Sequence, residues 1–331
     1  MSTKQMPKID NSSPLESESY SQEHCNLTLE KASELNALVT IVIPTLNEQE
    51  AISKVLDELF SIGLKNILVV DGYSSDGTLN AAKKYPISVI FQHGKGKTGA
   101  LKTAFENVKT PYMIVMDGDF TYDSSCIPRF LEHMQSYDQI IGVRNLDDKK
   151  NMSVIHKLGN KIITKTFNAL MGTSLSDVCS GMYVLRTEIA KDMDLSSTGF
   201  DVEAEIAARV ASSGRITEVP INYRQRIGKQ KLSTWKHGFK ILDTILKNGM
   251  IYRSSVFYSI IVSIISLLGI GILAKAAIEW YLTNTLPVTW LMVGISILLI
   301  AINFAGVALA AHTLRRMESK IIRRLTVQTL E

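Results

Sequence analysis

The sequence predicts an α/β domain with a mainly parallel sheet and flanking helices, followed by a C-terminal two-helix transmembrane hairpin. Between residues 38 and 144, short β-rich runs alternate with segments of helical periodicity. A parallel sheet covered by helices on both faces requires this order. Nearer the C-terminus, Val256–Ala274 and Trp290–Ala311 are long runs of apolar and small residues. Each run can cross about 30 Å of hydrocarbon.

The strands of the α/β domain are short apolar runs bounded by turn residues. They are predicted at Leu38–Pro44, Asn66–Asp71, Ser88–Gln92, Tyr112–Asp117 and Gln139–Arg144. Asn47 and Glu50 have the spacing of a helix N-cap and its partner, which predicts that the first helix begins there. Further helices are predicted at Asp76–Lys84, at Lys97–Asn107 and after Ser124.

Composition excludes several classes of protein. The formal net charge of +4 on 331 residues is too small to suggest a nucleic-acid partner. The three cysteines, Cys25, Cys126 and Cys179, lack metal-ligand spacing, which argues against a zinc or disulfide framework and fits a reducing compartment. Residues 1–36 are polar and lack the apolar region of a signal peptide, so they are predicted to be a disordered tail.

Charge asymmetry around the apolar runs predicts their orientation. The connector Glu279–Thr289 has no Lys or Arg, whereas basic residues flank the other ends of both runs. These residues are Lys247, Arg253, Arg315, Arg316, Lys320, Arg323 and Arg324. The positive-inside rule then places both the α/β domain and the basic tail 313–331 in the cytoplasm. Two buried core helices are the alternative, and the flanking Trp280, Tyr281 and Trp290 favour the membrane.

The remaining boundaries follow from these elements. The α/β domain is predicted at 37–232, an amphipathic helix at 233–253, and the two transmembrane helices at 254–312. Trp235, Phe239 and Leu242 share one face of the amphipathic helix with Ile245 and Leu246. That face suits a membrane interface, and plain core packing remains the alternative.

Polar residues recur where the predicted strands end, which is where parallel sheets bind ligands. They are Asn47, Glu48, Asp71, Asp117, Asp119 and Arg144. Asp117 and Asp119 flank a glycine, and two carboxylates so placed can bind a hard divalent cation that bridges a diphosphate. Asp71 could accept hydrogen bonds from a base or ribose, while Asp76 is interpreted as a helix cap.

A glycine-rich basic turn, His93–Lys97, opens the helix at Lys97–Asn107. Free backbone amides, the helix dipole, Lys95 and Lys97 suit an anionic group. The turn has neither the Walker pattern nor GxGxxG. No Ser/His/Asp or Cys/His nucleophile arrangement can be assembled from the sequence.

A series of motifs carries a family resemblance over about residues 38–250. In order, these are IPTLNE (Ile43–Glu48), VVDGYSSDGT (Val69–Thr78), GKGKTGALKTA (Gly94–Ala104), DGD (Asp117–Asp119), GVR (Gly142–Arg144), DVCSGMYVLR (Asp177–Arg186) and EVPINYRQRIGKQKLS (Glu218–Ser233). Together they resemble family 2 glycosyltransferases, in particular the polyprenyl-phosphate sugar synthases and the archaeal dolichyl-phosphate hexose synthases.

The resemblance implies a GT-A fold, a Mg²⁺ or Mn²⁺ cofactor, and transfer of a hexose from a nucleotide-sugar to dolichyl or polyprenyl phosphate with inversion. It implies an integral membrane protein of the cell membrane, or of an ER-type membrane, with a cytoplasmic catalytic domain. The expected nucleotide-sugar ligands are Pro44, Asn47, Glu48, Asp71, Lys95, Lys97 and Asp117. The expected metal ligands are Asp117 and Asp119, the catalytic set is Asp117, Asp119, Arg144 and Asp177, and the acceptor phosphate is assigned to Arg144, Arg226 and Lys231.

The chain departs from the family pattern at Gly72, Thr121, Met152 and His156. Thr121 stands where mannosyl-type relatives often have Gln, which favours UDP-glucose or UDP-N-acetylglucosamine over GDP-mannose. A lipid phosphate is already anionic, so no general base is needed and cations are expected to dominate the site. Asp201 and Glu203 are further candidates for orienting carboxylates, and helix capping is the alternative for Asp201.

Three rival functions are weighed against this one. A processive polysaccharide synthase should have QxxRW, which Gln225, Arg226 and Trp235 do not make. A sugar nucleotidyltransferase would need a glycine-rich turn after the first strand, where IPTLNE stands. A membrane scaffold without activity is the non-enzyme alternative, and the intact DGD and basic residues count against it.

Overall fold

A computed structural model describes residues 29–144, 154–228 and 234–328. Two compact units make up the chain, Met1–Ile245 and Leu246–Glu331. The sequence-based predictions for residues 1–28, Met152 and Lys231, and for the side chains of His156 and Trp235, lie outside the described part. The same holds for the arginine and lysine side chains that were used to orient the C-terminal tail.

The first unit is an α/β domain on a seven-stranded sheet. Its strands are β1 (Val39–Thr45), β2 (Ile67–Asp71), β3 (Ser88–Phe91), β4 (Tyr112–Val115), β5 (Gln139–Arg144), β6 (Tyr183–Arg186) and β7 (Ile216–Ile221). Its helices are α1 (Leu29–Leu38), α2 (Ile52–Ser61), α3 (Thr78–Ala82), α4 (Gly96–Asn107), α5 (Pro128–Leu131), α6 (Val154–Met171), α7 (Thr187–Lys191) and α8 (Val202–Ser213). Helix α9 (Thr234–Tyr252) continues into the second unit, which contains α10 (Ser254–Thr283) and α11 (Val288–Gln328).

The sheet is mainly parallel, as predicted. Its strand order is β3-β2-β1-β4-β6-β5-β7, and β6 alone runs antiparallel to both of its neighbours. The carboxyl ends of β1, β2, β4, β5 and β7 therefore meet at one edge of the sheet, together with the amino end of β6. This geometry brings residues 177–182 and 222–228 beside the loops that follow β1, β2 and β4.

Burial explains why the central strands read as continuous apolar runs. All residues of β2 and β4 are buried, and in β1 only Pro44 is half-buried, because helices cover both faces of the sheet. Helix α2 contributes Ile52, Val55, Leu56 and Leu59 to this core.

The structure corrects the predicted start of the first helix. Helix α2 begins at Ile52, and Ala51 precedes it without a side-chain cap. Asn47 has φ of +51° and donates its backbone N–H to Ser74 Oγ, so it belongs to a loop. The Glu48 carbonyl accepts the N–H groups of Ala51 and Ile52 instead.

Part of the predicted tail is helical. Residues 29–36 lie in α1, where Ala32 and Leu35 are buried against the domain. Asn36 secures this helix, because its amide donates to the Gly63 carbonyl at 2.8 Å and accepts the Lys65 N–H at 2.7 Å. The apolar content of 29–36 is low, and long-range polar contacts supplement the burial.

The second unit is a helical hairpin. Ser254–Thr283 and Val288–Ala311 are long and apolar enough to cross a membrane. The helices pack closely at glycines, since a Cβ on Gly269 would lie 2.8 Å from Leu298 Cδ2 and one on Gly294 2.6 Å from Leu273 Cδ2. Large apolar side chains project outward from both helices, including Leu267 at 70% exposure. An apolar outer surface of this kind suits a lipid environment.

Candidate active site

The loops after β1 and β2, residues 45–49 and 71–78, form what we call the loop pair. Asn47 Oδ1 accepts the Ser75 N–H at 2.8 Å, and the Glu48 N–H donates to Thr78 Oγ1 at 2.8 Å. Neutral backbone and hydroxyl groups make most of the polar contacts between the two loops. Hydrogen bonds from backbone N–H groups of one loop to side-chain oxygens of the other therefore hold the loop pair in shape.

Asp71 and Asp76 serve this loop geometry. The buried Asp71 carboxylate accepts the N–H of Ser74 at 2.8 Å and its hydroxyl at 2.7 Å. Asp76 Oδ1 accepts the N–H of Thr78, the first residue of α3, at 2.9 Å, which confirms its predicted capping role. Burial alone would raise the pKa of Asp76, but the hydrogen bonds from Thr78 outweigh it and lower the pKa.

Three residues that follow strand ends have left-handed backbone conformations. They are Asn47 at φ +51°, Tyr73 at +65° and Phe120 at +67°, after β1, β2 and β4. Such conformations are strained for a bulky residue and are often retained at functional sites. The strain marks the carboxyl edge of the sheet as the place where backbone shape is constrained.

Six charged side chains at this edge form what we call the charge cluster: Glu48, Lys97, Asp117, Asp119, Glu203 and Arg226. The Lys97 ammonium lies 2.5 Å from Asp117 Oδ1 and 2.6 Å from Glu203 Oε1, and its side chain is 8% exposed. These two carboxylates offset the burial and raise the pKa of Lys97 well above its usual range. The sequence assigned both Lys95 and Lys97 to the nucleotide-sugar, but Lys95 is exposed and Lys97 is buried between carboxylates.

Arg226 joins the other two acidic members of the cluster. Its Nη2 lies 2.5 Å from Glu48 Oε1 and its Nη1 lies 2.9 Å from Asp119 Oδ2. The other oxygen of Asp119 accepts the Thr121 hydroxyl at 2.5 Å. The sequence assigned Arg226 to the acceptor phosphate, whereas the structure places its guanidinium on two acidic residues that follow strands β1 and β4. Because β7 runs parallel to β5, its carboxyl end delivers Arg226 to the same edge.

Acidic groups outnumber cations in the charge cluster. Four carboxylates face one ammonium and one guanidinium, contrary to the expectation that cations dominate. Burial, followed by the charge of Asp117, raises the pKa of Asp119. A divalent cation would offset this excess, and hard carboxylate oxygens suit Mg²⁺ or Mn²⁺. Among the described residues, no group of three or more His, Cys, Asp or Glu side chains is arranged to hold a metal, so other oxygens would have to complete its coordination.

Arg144 and Asp177, both predicted as catalytic, form one buried pair beside the cluster. Arg144 Nε lies 2.6 Å from Asp177 Oδ2, its Nη2 lies 2.8 Å from Oδ1, and Asn160 donates to Oδ1 at 3.0 Å. Burial alone would raise the pKa of Asp177, but Arg144 outweighs it and lowers the pKa. The guanidinium also lies 5.4 Å from the centre of the Tyr223 ring. This pair orients Arg144 at the end of β5.

Sequence reasoning missed several contributors to the site. Asn160 and Tyr223 have no local signal, since helix α6 and the bridge of Tyr223 to Tyr122 bring them in from a distance. Gly181 is needed because a Cβ there would lie 2.5 Å from Asp117 Oδ2. Of the two further carboxylates considered, Glu203 joins the cluster. Asp201 instead forms an ion pair with Lys240, with 3.0 Å between Nζ and Oδ1, and its Oδ2 accepts the Thr244 hydroxyl at 2.9 Å.

Comparisons with known proteins identify the family of the chain. The sequence profile "Glycosyl transferase family 2" matches residues 40–194. A dolichyl-phosphate hexose transferase of Haloferax volcanii is 33% identical over 214 residues, which cover 63% of this chain and 92% of that protein. The chain belongs to glycosyl transferase family 2.

Other members of the family match smaller shares of their length. Glycosyltransferase AglJ of Haloferax volcanii is 36% identical over 192 residues, 57% of this chain and 63% of that protein. The match therefore spans less than two thirds of that relative. A dolichol-phosphate mannosyltransferase of Pyrococcus furiosus is 32% identical over 59% of each chain.

Solved structures support the fold. Glucosyl-3-phosphoglycerate synthase from Mycobacterium tuberculosis, crystallised with Mn²⁺, UDP and phosphoglyceric acid, superposes with a TM-score of 0.55. It shares 15% sequence identity, and the superposition covers 67% of this chain and 82% of that one. The domain of this family 2 member has the GT-A fold.

Proposed function

We propose that this family 2 member transfers a hexose from a nucleotide-sugar to dolichyl or polyprenyl phosphate, with inversion at the anomeric carbon. The observation that carries the proposal is the charge cluster, in which Asp117 and Asp119 lie at the carboxyl edge of the sheet beside the loop pair. The two membrane-length helices suit a lipid acceptor. The relative named dolichyl-phosphate hexose transferase supports the same reaction.

The nucleoside of the donor is assigned to the loop pair, lined by Pro44, Asn47 and Asp71. Three large apolar side chains, Leu46, Tyr73 and Phe91, are exposed at the carboxyl ends of the neighbouring strands β1, β2 and β3. The rings of Tyr73 and Phe91 stack with their centres 5.1 Å apart and their planes inclined by 11°. A planar base can extend such a stack.

The diphosphate of the donor is assigned to the charge cluster. Asp117 and Asp119 would hold Mg²⁺ or Mn²⁺, which would stabilise the negative charge on the leaving nucleotide diphosphate. Arg226 can exchange its carboxylate partners for phosphate oxygens, since a guanidinium binds both with similar geometry. Lys97 stays with Asp117 and Glu203 and orients the Asp117 carboxylate. The exposed Lys95 is free to contact donor phosphate from the glycine-rich turn.

The acceptor phosphate is assigned to Arg144 and Lys231. Its oxygen is already anionic, so it can form the new bond to the anomeric carbon as the bond to the nucleotide diphosphate breaks on the opposite side. No proton transfer is required, and the task of the protein is to align two anionic groups and offset their repulsion. Asp177 and Asn160 keep the Arg144 guanidinium in one orientation for this purpose.

Turnover by the purified full chain tests the proposal. A panel of UDP- and GDP-sugars would be incubated with polyprenyl phosphate and Mn²⁺, and the lipid product identified by mass spectrometry. We expect a hexosyl phospholipid from UDP-glucose or UDP-N-acetylglucosamine, and no product in excess EDTA. Full turnover in EDTA would refute the metal assignment, and no turnover with any donor would refute sugar transfer.

GDP-mannose is the second candidate donor. Relatives named dolichol-phosphate mannosyltransferase and undecaprenyl-phosphate mannosyltransferase, from Pyrococcus furiosus and Micrococcus luteus, favour it. Thr121, bonded to Asp119, favours a UDP-hexose instead. Competition by GDP but not by UDP would decide for mannose.

We also propose that the catalytic domain and the C-terminal tail both lie in the cytoplasm. Asn284 follows the last residue of α10 and has a left-handed φ of +54°, which suits the turn of a hairpin. A reporter inserted at Asn284 should map outside the membrane, and one at Gln328 should map inside. Protease access to Gln328 from outside intact cells would contradict this topology.

A further inference from the structure

Helix α6 has two unlike faces. One is buried in the domain through Ile163, Phe167 and Leu170. The other carries Leu158 and Ile162, one helical turn apart, with 59% and 52% of their surfaces exposed. Leaving two large aliphatic side chains together in water is unfavourable, and adjacent exposed apolar residues often mark an interaction surface.

Positive charge surrounds this apolar pair. Lys161 and Lys165 are exposed and lie on the same face, since they are three residues from Leu158 and Ile162 respectively. Helix α6 contains no Asp or Glu. Across the described parts of the chain, no carboxylate lies within ion-pair distance of either lysine. Solvation alone would explain the lysines, but it does not explain the aliphatic side chains between them.

We propose that this face of α6, made of Leu158, Lys161, Ile162 and Lys165, lies on the anionic surface of a lipid bilayer. Aliphatic side chains would enter the boundary between head groups and acyl chains, and the lysines would contact lipid phosphates. An acidic protein could match the charges equally well. The bilayer is favoured because this chain has two helices of membrane-spanning length, which keep a lipid surface at high local concentration.

The opposite face of α6 connects the proposed lipid contact to the candidate active site. Asn160, on the buried side, donates to Asp177, and Asp177 holds Arg144. One rigid helix therefore connects the proposed lipid contact to the Arg144–Asp177 pair. Lipid docking would limit the movement of Asn160 and so help to keep Arg144 in place.

Depth measurements on the full chain test the contact directly and do not depend on the proposed sugar transfer. Nitroxide labels would be placed at Leu158→Cys and Ile162→Cys in a chain whose native cysteines are replaced by alanine, reconstituted in phosphatidylglycerol nanodiscs. We expect high accessibility to oxygen and low accessibility to a water-soluble nickel chelate. Lys84→Cys, an exposed position outside α6, is the control and should show the reverse. Water-like accessibility at both α6 positions would overturn the proposal.

The charges are tested separately. Lys161→Gln/Lys165→Gln should lower the equilibrium constant for docking on anionic lipid by on the order of tenfold or more, with little effect in neutral phosphatidylcholine. Lys83→Gln/Lys84→Gln removes the same charge from another exposed site and should leave the label depth unchanged. Equal effects of the two double variants would overturn the lysine assignment. Protection that persists in detergent without lipid, or that rises with protein concentration, would show a protein partner instead and overturn the membrane contact.

Discussion

The loop pair and the charge cluster lie at the same edge of the sheet but are stabilised in different ways. In the loop pair, carboxylates accept hydrogen bonds from neutral groups close in sequence, such as Asp76 from Thr78 and Asp71 from Ser74. In the charge cluster, carboxylates pair with cations far away in sequence. Arg226, for example, is 178 residues from Glu48 and 107 from Asp119.

The loop pair therefore determines the shape of this edge of the sheet, and the charge cluster determines its charge. A hydrogen bond of the loop pair contributes about 0.5–1.5 kcal/mol to stability when its acceptor is neutral and about 1.5–3 kcal/mol when its acceptor is a carboxylate, whereas removing one partner of a buried ion pair costs about 3–5 kcal/mol. The loop pair can therefore lose one contact and keep its form. The charge cluster holds opposite charges that phosphates and a metal ion can replace, so single changes there should affect both stability and turnover.

The largest effect is expected at Lys97. Lys97→Met would leave Asp117 and Glu203 buried without their shared cation, so the free energy of unfolding should fall by about 3–5 kcal/mol. Lys95→Met, two residues away and exposed, should change it by less than about 0.5 kcal/mol. Denaturant unfolding of both variants measures the difference, and Lys97→Arg should recover part of the loss. Equal stabilities for Lys95→Met and Lys97→Met would contradict the conclusion that Lys97 is a buried partner of two carboxylates and Lys95 is not.

Asp119 should have the largest effect on turnover. Asp119→Asn keeps the shape of the side chain but removes the charge that would hold the metal, so kcat should fall by about 100- to 1000-fold. Asp123→Asn changes a carboxylate of the same loop that accepts from Ser125 and Asn222, and kcat should be nearly unchanged. Wild-type kcat in Asp119→Asn at saturating donor and Mn²⁺ would remove Asp119 from the catalytic set.

Arg226 tests whether the charge cluster serves the donor. Arg226→Ala should lower kcat/KM by about 10- to 100-fold, because a charged hydrogen bond is worth about 1.5–3 kcal/mol. The contacts of Arg226 with Glu48 and Asp119 lead us to expect that the KM for nucleotide-sugar rises. A rise confined to the KM for polyprenyl phosphate would return Arg226 to the acceptor, as the sequence suggested.

The Arg144–Asp177 pair should make stability depend on acid pH. The pKa of Asp177 in the folded state lies below its ordinary value of 3.8 because, despite burial, Arg144 stabilises the charged carboxylate. The stabilisation that this pair gives the folded state is therefore complete above about pH 5 and is lost as the pH falls through the lowered pKa. The free energy of unfolding falls by about 1.4 kcal/mol for each pH unit between the pKa of Asp177 in the unfolded state and its lower pKa in the folded state. Asp177→Asn should be less stable than the wild type at pH 7, and the gap should narrow toward pH 3. A constant gap across this range would argue against the ion pair.

The smallest effect is expected in the loop pair. Asp76→Ala removes the cap of α3 and should cost about 1 kcal/mol of stability, while kcat stays within about twofold of the wild type. Thermal unfolding and initial rates measure the two quantities. A large fall in kcat would show that the loop pair depends on single contacts as strongly as the charge cluster does.

Local sequence was sufficient to predict most of the framework. The strand at Gln139–Arg144 was predicted with its observed ends, and Tyr112–Asp117 extended β4 by two residues. Apolar runs between turn residues indicate buried strands, because the position of each strand end depends on only a few residues that are adjacent in the sequence. The two long apolar helices were predicted for the same reason, since length and hydropathy are properties of a single segment.

Other features depended on the packing of distant elements. The predicted cap at Asn47 failed because the loop pair binds that residue in a left-handed conformation. The reversed direction of β6 has no local signature, yet it brings Gly181 and Asp177 to the carboxyl edge. Strand direction and order therefore decide which polar residues can meet.

Sequence by itself determined the strands, the apolar helices and the types of residue at the strand ends, because each follows from periodicity and composition over a short stretch. Only the tertiary structure decided that Lys97 is buried between Asp117 and Glu203 while Lys95 stays in solvent. The two lysines share one turn and the same chemistry. Their environments differ because α8 places Glu203 against Lys97, although the two residues are more than a hundred positions apart in the sequence. A buried charge is stable only where a residue of opposite charge packs against it.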